Sequence, residues 1–274
     1  MPELPEVEVL RRSLEPRLVG RRIERVESRN VSLREPLDGP ALRRALAGRR
    51  ILAVRRRAKY LLIDVEGGST LLVHLGMSGR LTLAPDETAR ESHEHLALRL
   101  DGGERLRLRD PRRFGLAVAV ASEGLEEDPR LAGLGPEPLA ADFGPQSLRE
   151  AAAGRRGPVK TFLMNGAVVV GVGNIYASEA LFRARVHPGR TVDRLRAAQW
   201  ERLAAAVVAT LRQAIAEGGT TLNDFADGAG NPGEFQVSLA VYGREGEPCP
   251  RCAATIRRLV QGGRSSFYCP RCQR

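Results

Sequence analysis

The alternation of apolar and polar positions divides the chain into a strand-rich first half and a helix-rich second half. Residues 5–17 follow a helical period, with Pro5 at the first helical position and Val7, Leu10 and Leu14 on one face. This segment is predicted to form a helix that precedes the strands.

From about residue 22 to residue 121 the dominant period is two, the pattern of a half-buried strand. Gly-Gly and Asp-Gly pairs separate the runs, and residues 40–48 form a short helical insertion. Strands are predicted over residues 60–65, 70–75, 80–83, 95–100, 105–109 and 115–120. So many short strands with one helix among them predict an antiparallel sandwich or barrel.

The second half has a helical period. Glycine, proline and acidic residues are frequent over 122–146, which indicates a connection between domains. Residues 218–234 carry five glycines and a proline, and their position alone does not decide between a slack connector and a substrate loop. Helices are predicted over 146–153, 158–164, 173–185 and 193–217.

The predicted fold is α+β with two lobes. Residues 1–130 form an antiparallel β-sandwich preceded by a helix, and 131–146 form a linker. Residues 147–234 form a helical bundle, and 235–274 form a small terminal module. We expect the ligand to bind in the cleft between the lobes.

The composition of the 274 residues is that of a folded protein, with 42% apolar and 28% charged residues, which excludes a disordered or collagen-like chain. No stretch approaches the ~18 apolar residues that suggest a membrane span. The first twenty residues contain acids and arginines throughout, unlike a signal peptide. We therefore expect a cytoplasmic protein with no membrane partner.

The formal net charge is +10, with 43 basic and 33 acidic residues, which indicates a polyanionic partner such as nucleic acid. On charge alone, a solubility charge from an arginine-rich genome is an equal alternative. Only two of the basic residues are lysines, Lys59 and Lys160. Lys59 directly follows three arginines at 55–57 and one alanine. Because an ammonium can donate a proton that a guanidinium retains, Lys59 is a candidate for chemistry.

The four cysteines lie in two C-x2-C pairs separated by sixteen residues, namely Cys249, Cys252, Cys269 and Cys272. This spacing is typical of a tetrahedral zinc site, with a pair of disulfides as the alternative. The segment from 249 onward also contains six arginines and no carboxylate. We expect one structural Zn²⁺ in a cationic hairpin that suits a phosphate backbone.

The chain begins with Met1, Pro2 and Glu3. Removal of Met1 would leave Pro2 as a free secondary amine, and α-amino groups titrate near pH ~8, so a nucleophilic fraction exists at pH 7. Glu3 could act as general acid beside it. The alternative is an acidic first turn that complements the helix dipole.

The chain resembles bacterial formamidopyrimidine-DNA glycosylases, which remove 8-oxoguanine and ring-opened purines from DNA. The resemblance starts with PELPEV at 2–7 and continues in order to the cysteine pairs. It includes RAKY at 57–60, HLGMSG at 74–79, DPRRFG at 110–115, GVGNIYAS at 171–178, GGTTL at 218–222 and VYG at 241–243. Each motif is weak alone, but together they are highly specific.

The resemblance implies a bifunctional enzyme, a glycosylase and AP lyase. It implies that Pro2 attacks C1′ of the damaged nucleotide and that Glu3 is the acid for base release. Glu6 would support the pocket or its water, Lys59 would donate a proton in β-elimination, and Arg264 would grip a phosphate and assist δ-elimination. The plainer alternatives are a phosphate clamp for Lys59 and a general surface cation for Arg264.

The family's DNA contacts match a further set of positions. From the sequence alone, Asn174 is a helix N-cap before an apolar run. His93 and His95 occupy alternate strand positions without a third ligand, which makes a poor metal site. The contacts that the resemblance implies are His74, His93, Arg113, Arg155, Lys160, Asn174 and Tyr242, with Asn174 in a helix–two-turn–helix element.

Chemistry at C1′ within a duplex requires the nucleotide to flip out, which leaves a gap. Met77, Arg112 and Phe114 match the family's gap-filling set: an apolar plug, a cation for the orphaned cytosine and an aromatic wedge. An ordinary place in the core is the alternative for Met77 and Phe114. Both lie in turns beside glycine, serine or arginine, which favours exposure.

The chain departs from the family pattern at few positions. Glycines at 262–263 and Ser266 flank Arg264, and the tip of the loop over 218–234, which in the family covers 8-oxoguanine, differs freely. Two other functions stay open: an endonuclease VIII-like enzyme for oxidised pyrimidines, and a non-catalytic zinc-containing nucleic-acid binder. We expect a monomer that binds damaged double-stranded DNA and associates with the nucleoid.

Overall fold

The structure is a computed structural model that describes the chain from residue 2 onward except for 221–237. Most of the predicted loop over 218–234 therefore lies outside the described residues. The described residues group into two compact units, one of 2–132 with 218–220 and the other of 133–217 with 238–274. Residues 218–220, which the sequence joins to the helical domain, thus group with the N-terminal unit.

The first unit contains two four-stranded antiparallel sheets and two helices. The helices are α1 (Leu4–Leu18) and α2 (Gly39–Leu46). The strands are β1 (Ile23–Ser28), β2 (Ile51–Arg57), β3 (Tyr60–Val65), β4 (Ser69–His74), β5 (Arg80–Pro85), β6 (Glu94–Leu100), β7 (Glu104–Arg109) and β8 (Leu116–Ala121). The strand orders are β1-β6-β7-β5 and β2-β3-β4-β8.

A buried apolar cluster joins both sheets and both helices. It includes Leu10 of α1, Leu42 of α2, Leu61 of β3 and Leu106 of β7. The predicted antiparallel sandwich is therefore confirmed.

Helix α1 begins at Leu4, one residue before the predicted start, and Pro5 lies in its first turn, where a missing N–H costs no helical hydrogen bond. Leu4, Leu14 and Leu18 are completely buried, so one face of the helix is fixed on the core. Packing of α1 therefore fixes the residues that precede it in the chain, including Pro2.

The second unit contains the predicted helices. Helix α6 starts at Ala197, later than predicted, because a 3₁₀ turn at Val192–Arg194 precedes it and Gln199 Oε1 accepts the Arg196 N–H at 3.0 Å. The helices are α3 (Pro145–Ala152), α4 (Val159–Leu163), α5 (Asn174–Ala184) and α6 (Ala197–Ala216). Within the described ranges no helix is both long and apolar enough to cross a bilayer.

The unit ends in a hairpin of β9 (Arg257–Gln261) and β10 (Arg264–Tyr268). Gly262 and Gly263 form its tip with φ values of +55° and +73°, and Gln261 pairs with Arg264 across it. A two-residue turn with both φ values positive favours glycine, so these departures from the family pattern serve the turn. Arg264 is consequently held at the first position after the tip.

Candidate active site and nucleic-acid interface

The residues before α1 are held by the carboxylate of Glu6. Pro2, Glu3 and Glu6 are all buried. Glu6 Oε2 accepts the backbone N–H of Glu3 at 2.7 Å. Its Oε1 accepts the N–H and the hydroxyl of Thr220 at 2.9 and 3.0 Å. One carboxylate thereby fixes both the start of the chain and the start of the 218–234 segment.

Gly219 has a φ of +79°, and a Cβ there would lie 3.1 Å from Glu6 Oε1. The approach of this segment to Glu6 therefore requires glycine. The contact with Glu6 explains why glycine and threonine stand at positions 219 and 220 of the GGTTL motif, which the sequence alone did not explain.

Lys59 lies in the turn between β2 and β3, beside Ala58, which has a φ of +54°. Arg56 donates to the Ala58 carbonyl at 2.9 Å, and its Nε donates to Glu8 Oε2 of α1 at 3.2 Å. Arg56 therefore ties the turn that carries Lys59 to the helix that follows Pro2.

Burial raises the pKa of Glu8, but hydrogen bonds from Arg11 and Arg12 and the charges of Arg11 and Arg56 outweigh it, so the pKa is lowered. Glu8 consequently stays ionised and keeps its bond to Arg56. The sequence did not single out either of these two residues.

His74 is a buried, neutral imidazole at the end of β4. Burial lowers its pKa to about 3, and the nearby charges of Arg34 and Lys59 act in the same direction. The N–H of Gly76 donates to Nδ1 at 2.9 Å, so the ring hydrogen lies on Nε2. His74 can thus offer a ligand a neutral N–H donor, and it lies near enough to Lys59 to be influenced by its charge.

The proposed gap-filling residues occupy two turns of the first unit. Met77 is 38% exposed and Phe114 is 46% exposed, and they are among the few large apolar side chains in the described part of the chain that are exposed. The Arg112 guanidinium carbon lies 5.0 Å from the centroid of the Phe114 ring, a cation–π distance. The core alternative for Met77 and Phe114 is therefore wrong.

The neighbouring DNA candidates are exposed. Arg113 has a φ of +57° and His93 a φ of +62°. His93 precedes β6, so it does not share a strand with His95 as the sequence pattern suggested. His95 is buried, and its Nε2 donates to the Asp110 carbonyl at 2.9 Å.

In the second unit, Lys160 of α4 is only 1% exposed. Its ammonium contacts Asn174 Oδ1 at 2.6 Å, the Ser265 carbonyl at 2.7 Å and Ser266 Oγ at 2.8 Å. A direct phosphate contact does not fit such enclosure by protein. Lys160 instead joins α5 to the hairpin, beside Arg264.

Asn174 is the first residue of α5, with Gly173 at the N-cap, so the expected capping role is wrong. While its Oδ1 accepts from Lys160, its Nδ2 donates to Tyr242 Oη at 3.3 Å. Lys160, Asn174 and Tyr242 therefore form one connected group.

Sequence reasoning missed Glu179, which anchors Tyr242. Its carboxylate accepts three consecutive backbone N–H groups, those of Ala240, Val241 and Tyr242, at 2.8–3.0 Å. Burial raises its pKa, and the three N–H donors only partly offset that effect. The available signal was an acid in the middle of the apolar run of α5.

Arg155 and Arg264 are exposed, Arg155 in a turn after α3 and Arg264 at the hairpin tip. The second unit thus carries Arg264, Tyr242 and Asn174, and the first carries Pro2, Glu3, Glu6, Lys59, His74 and the two exposed turns.

The four cysteines form the metal site of the hairpin module. All four Sγ atoms lie within 4.8 Å of one another, with separations of 3.5, 3.5 and 3.9 Å for three of the pairs. Tetrahedral ligands at about 2.3 Å from zinc lie about 3.8 Å apart, so the cysteines fit one Zn²⁺. All four thiols are free, and the disulfide alternative is wrong.

Three family models match consecutive parts of the chain. The formamidopyrimidine-DNA glycosylase N-terminal domain matches residues 1–117, the H2TH domain of the same enzymes matches 134–226, and a zinc finger found in FPG and IleRS matches 246–274.

Relatives match over the whole length. A formamidopyrimidine-DNA glycosylase of Magnetococcus marinus is 49% identical over 275 residues, with 100% of each chain covered. The crystal structure of MutM (Fpg) from Thermus thermophilus is 41% identical, with a TM-score of 0.87 over 99% of this chain and 98% of that one.

Wild-type Lactococcus lactis Fpg, solved in complex with DNA containing N7-benzyl-Fapy-dG, is 34% identical with a TM-score of 0.92, and each chain is covered completely. Domain models, full-length identity and fold agree with the site geometry. The chain belongs to the formamidopyrimidine-DNA glycosylase family.

Proposed function

We propose that this protein excises oxidised purines, 8-oxoguanine and formamidopyrimidines, from duplex DNA and then cleaves the resulting abasic site by β,δ-elimination. The observation that carries the proposal is the bond from the Glu3 N–H to Glu6 Oε2 at 2.7 Å. It holds Pro2 and Glu3 in a buried setting at the start of a helix that is fixed on the core.

The first step joins Pro2 to the sugar. The neutral amine of Pro2 attacks C1′ as the glycosidic C1′–N bond breaks, and Glu3 gives its proton to the departing base. The Glu3 carboxylate then takes the proton of the amine and passes it to O4′ as the sugar ring opens. The product is an iminium between Pro2 and C1′, which has no N–H proton to lose.

The positive charge of the iminium makes the C2′ proton of the sugar acidic. A C2′ proton passes to water, the C3′–O bond breaks, and Lys59 supplies a proton to the departing phosphate. The C4′ proton then passes to water as the C5′–O bond breaks, and Arg264 pairs with the phosphate that leaves. Water hydrolyses the remaining Schiff base and regenerates Pro2.

The DNA backbone is held from both units in this proposal. His74 offers its neutral Nε2–H, and Asn174 and Tyr242 offer polar groups that Lys160 and Glu179 orient. Arg113, His93 and Arg155 supply exposed donors. The role of Lys160 is thus indirect, because its ammonium contacts protein acceptors.

The experiment is borohydride trapping on duplex DNA that carries 8-oxoguanine opposite cytosine. The protein with Pro2 at its N-terminus should form a covalent adduct. A version with extra residues before Pro2 has a tertiary amide in place of the amine, and it should bind the same DNA without trapping. The α-amine of the extended protein is acetylated so that lysines are its only other amines. If that protein still traps, a lysine is the nucleophile and Pro2 is not.

The same assay separates the other two functions. Faster trapping on DNA with an oxidised pyrimidine than on 8-oxoguanine would favour an endonuclease VIII-like specificity. Tight binding without any adduct would favour a non-catalytic binder, which has no need for Pro2, Glu3 or Lys59.

A further inference from the structure

A single buried carboxylate joins the two turns that carry the exposed side chains Met77 and Phe114. Asp110 follows β7 and is completely buried. Its Oδ1 accepts the hydroxyl of Ser78 at 2.7 Å, and its Oδ2 accepts the N–H of Gly115 at 2.7 Å. Ser78 belongs to the turn of Met77, and Gly115 directly follows Phe114.

The bridge includes Arg112 as well. The hydroxyl of Ser78, while donating to Asp110, accepts the backbone N–H of Arg112 at 3.2 Å. All three proposed gap-filling residues are therefore within one residue of a group bonded to Asp110 or Ser78.

Asp110 itself is anchored in the sheet behind the turns. Its N–H donates to the His93 carbonyl at 3.0 Å, and its carbonyl accepts from His95 Nε2 at 2.9 Å. These bonds hold the backbone of Asp110 at the edge where β6 and β7 meet. The carboxylate thus connects a fixed position in one sheet to Gly115, which leads into β8 of the other.

The two turns also touch backbone to backbone. A Cβ on Gly76 would lie 2.4 Å from the Phe114 carbonyl carbon, and one on Gly115 would lie 2.9 Å from both Asp110 Oδ2 and the His74 carbonyl oxygen. No side chain can separate the turns at these points. Their relative position is therefore set by direct contact and by the bonds of Asp110.

We propose that Asp110 is a positioning residue that makes Met77, Arg112 and Phe114 move as one rigid wedge. The inference rests on the proposed function, since the wedge is needed only if a nucleotide is extracted from a duplex. Side chains on a fixed backbone can enter the base stack together, whereas side chains on independent turns would fold back onto the protein surface.

Two substrates that share the same Schiff-base chemistry differ in how much they need the wedge. 8-Oxoguanine opposite cytosine is stacked, so its extraction needs the wedge. A pre-formed abasic site has no base to unstack, and its exposure costs less. Damage to the wedge should consequently slow the first reaction far more than the second.

The test uses Asp110→Asn in the full chain, with single-turnover borohydride trapping on both DNA duplexes. Asparagine keeps the size but must point an NH₂ group at one of the two donors, Ser78 Oγ–H or Gly115 N–H. We expect trapping on 8-oxoguanine to fall tenfold or more and trapping on the abasic duplex to change less than threefold. The fluorescence of a 2-aminopurine placed next to the lesion rises when the neighbouring base is unstacked. We expect this rise on binding of the unchanged protein and its loss with Asp110→Asn.

Glu94→Gln is the matched control. Glu94 is also a completely buried acid, on β6 in the same sheet, and its ion pairs are with Arg90, Arg105 and Arg107 rather than with the two turns. A loss of folded protein would lower the trapping rate on both duplexes by the same factor, so it would not change their ratio. We expect Glu94→Gln to leave the ratio of the two trapping rates unchanged.

Ser78→Ala keeps the test decisive if Asp110→Asn does not fold, because Ser78 is only partly buried. It removes the hydroxyl between Asp110 and Arg112 and should change the ratio in the same direction, by at least threefold. An unchanged ratio in both variants, or an equal fall on both duplexes, would overturn the proposal. If the unchanged protein traps neither duplex, the proposed function itself fails, and this inference fails with it.

Discussion

The carboxylate of Glu6 accepts both the N–H and the hydroxyl of Thr220, at 2.9 and 3.0 Å, although the two residues are 214 positions apart in the chain. The same carboxylate holds the backbone N–H of Glu3. Thr220, in the segment that follows α6, is therefore coupled to the proposed acid through one side chain.

Glu6→Gln tests this coupling. The amide must turn an NH₂ group toward one of the donors, Glu3 N–H or those of Thr220, so at least one bond is lost. A displacement of about 1 Å at a reacting group can lower a rate by about 100-fold, so we expect trapping on 8-oxoguanine to fall by about 10- to 100-fold. Glu15→Gln is the control, because its carboxylate is half-exposed on the same helix and pairs with Arg11, and this variant should trap normally. Equal rates for Glu6→Gln and the unchanged protein would remove Glu6 from the mechanism.

Glu3→Gln separates base release from Schiff-base formation. Glutamine keeps the size of the side chain but cannot donate the proton, so release of 8-oxoguanine should fall by about 10²–10⁴-fold. A pre-formed abasic site has no base to release, and its open-chain aldehyde needs no proton on O4′, so on this substrate the variant should still form the adduct. Strand cleavage and free base are measured separately on the two substrates. A similar loss of adduct on both substrates would mean that Glu3 is needed for the attack by Pro2.

Lys160→Met distinguishes an internal role from a phosphate contact. Methionine keeps the length but leaves the acceptors on Asn174, Ser265 and Ser266 without their donor, so the free energy of unfolding should fall by about 2–4 kcal/mol. Urea unfolding measures that change.

The comparison is with Arg155→Met. Because Arg155 is exposed, this variant should leave the free energy of unfolding unchanged. It should instead weaken DNA binding and reduce the slope of log affinity against log salt by about 1. If the two variants exchange these patterns, Lys160 contacts phosphate directly.

His74 makes stability depend on pH. Its folded-state pKa of about 3 lies below the unfolded value of 6.5. As the pH falls below 6.5 the unfolded chain gains a proton that the folded protein excludes, so stability is lost on acidification and recovered as the pH rises. The loss from this one group should reach about 2 kcal/mol at pH 5.

His74→Gln keeps an acceptor for the Gly76 N–H and should flatten the stability curve between pH 5 and 7 by that amount. Chemical denaturation at several pH values provides the measurement, and parallel curves for His74→Gln and the unchanged protein would contradict the buried neutral ring.

The regular features of the fold were predictable because their causes are local. The helical spacing of Val7, Leu10 and Leu14 predicts α1, and the period-two runs predict six of the eight strands of the sandwich. Strands β1 and β2 were not singled out because neither alternates strictly: β1 has two adjacent polar residues between Ile23 and Val26, and β2 runs from four apolar residues into three arginines. Each also contains an irregular register, at Ile23–Arg25 in β1 and at Ile51–Ala53 in β2.

The supporting contacts were not predictable from local pattern. In the sequence, Glu179 is only an acid within an apolar helix. The backbone amides of Ala240, Val241 and Tyr242 reach its carboxylate through tertiary packing. In the same way, Lys160 looks like a surface cation, and its enclosure depends on acceptors from α5 and β10. The sequence offers candidates for the chemistry more readily than it shows which residues hold those candidates in place.

The enclosure of Lys160 has a consequence for chemical labelling. The chain has two lysines, Lys160 is almost completely buried and Lys59 is half-buried, so an amine-acylating reagent should reach Lys59 far more readily than Lys160. Besides the α-amine at the chain start, any reagent of this class is directed to the turn between β2 and β3. The extent of acylation at Lys59, read by mass spectrometry of the intact protein, becomes a footprint of occupancy at that turn without any engineered probe.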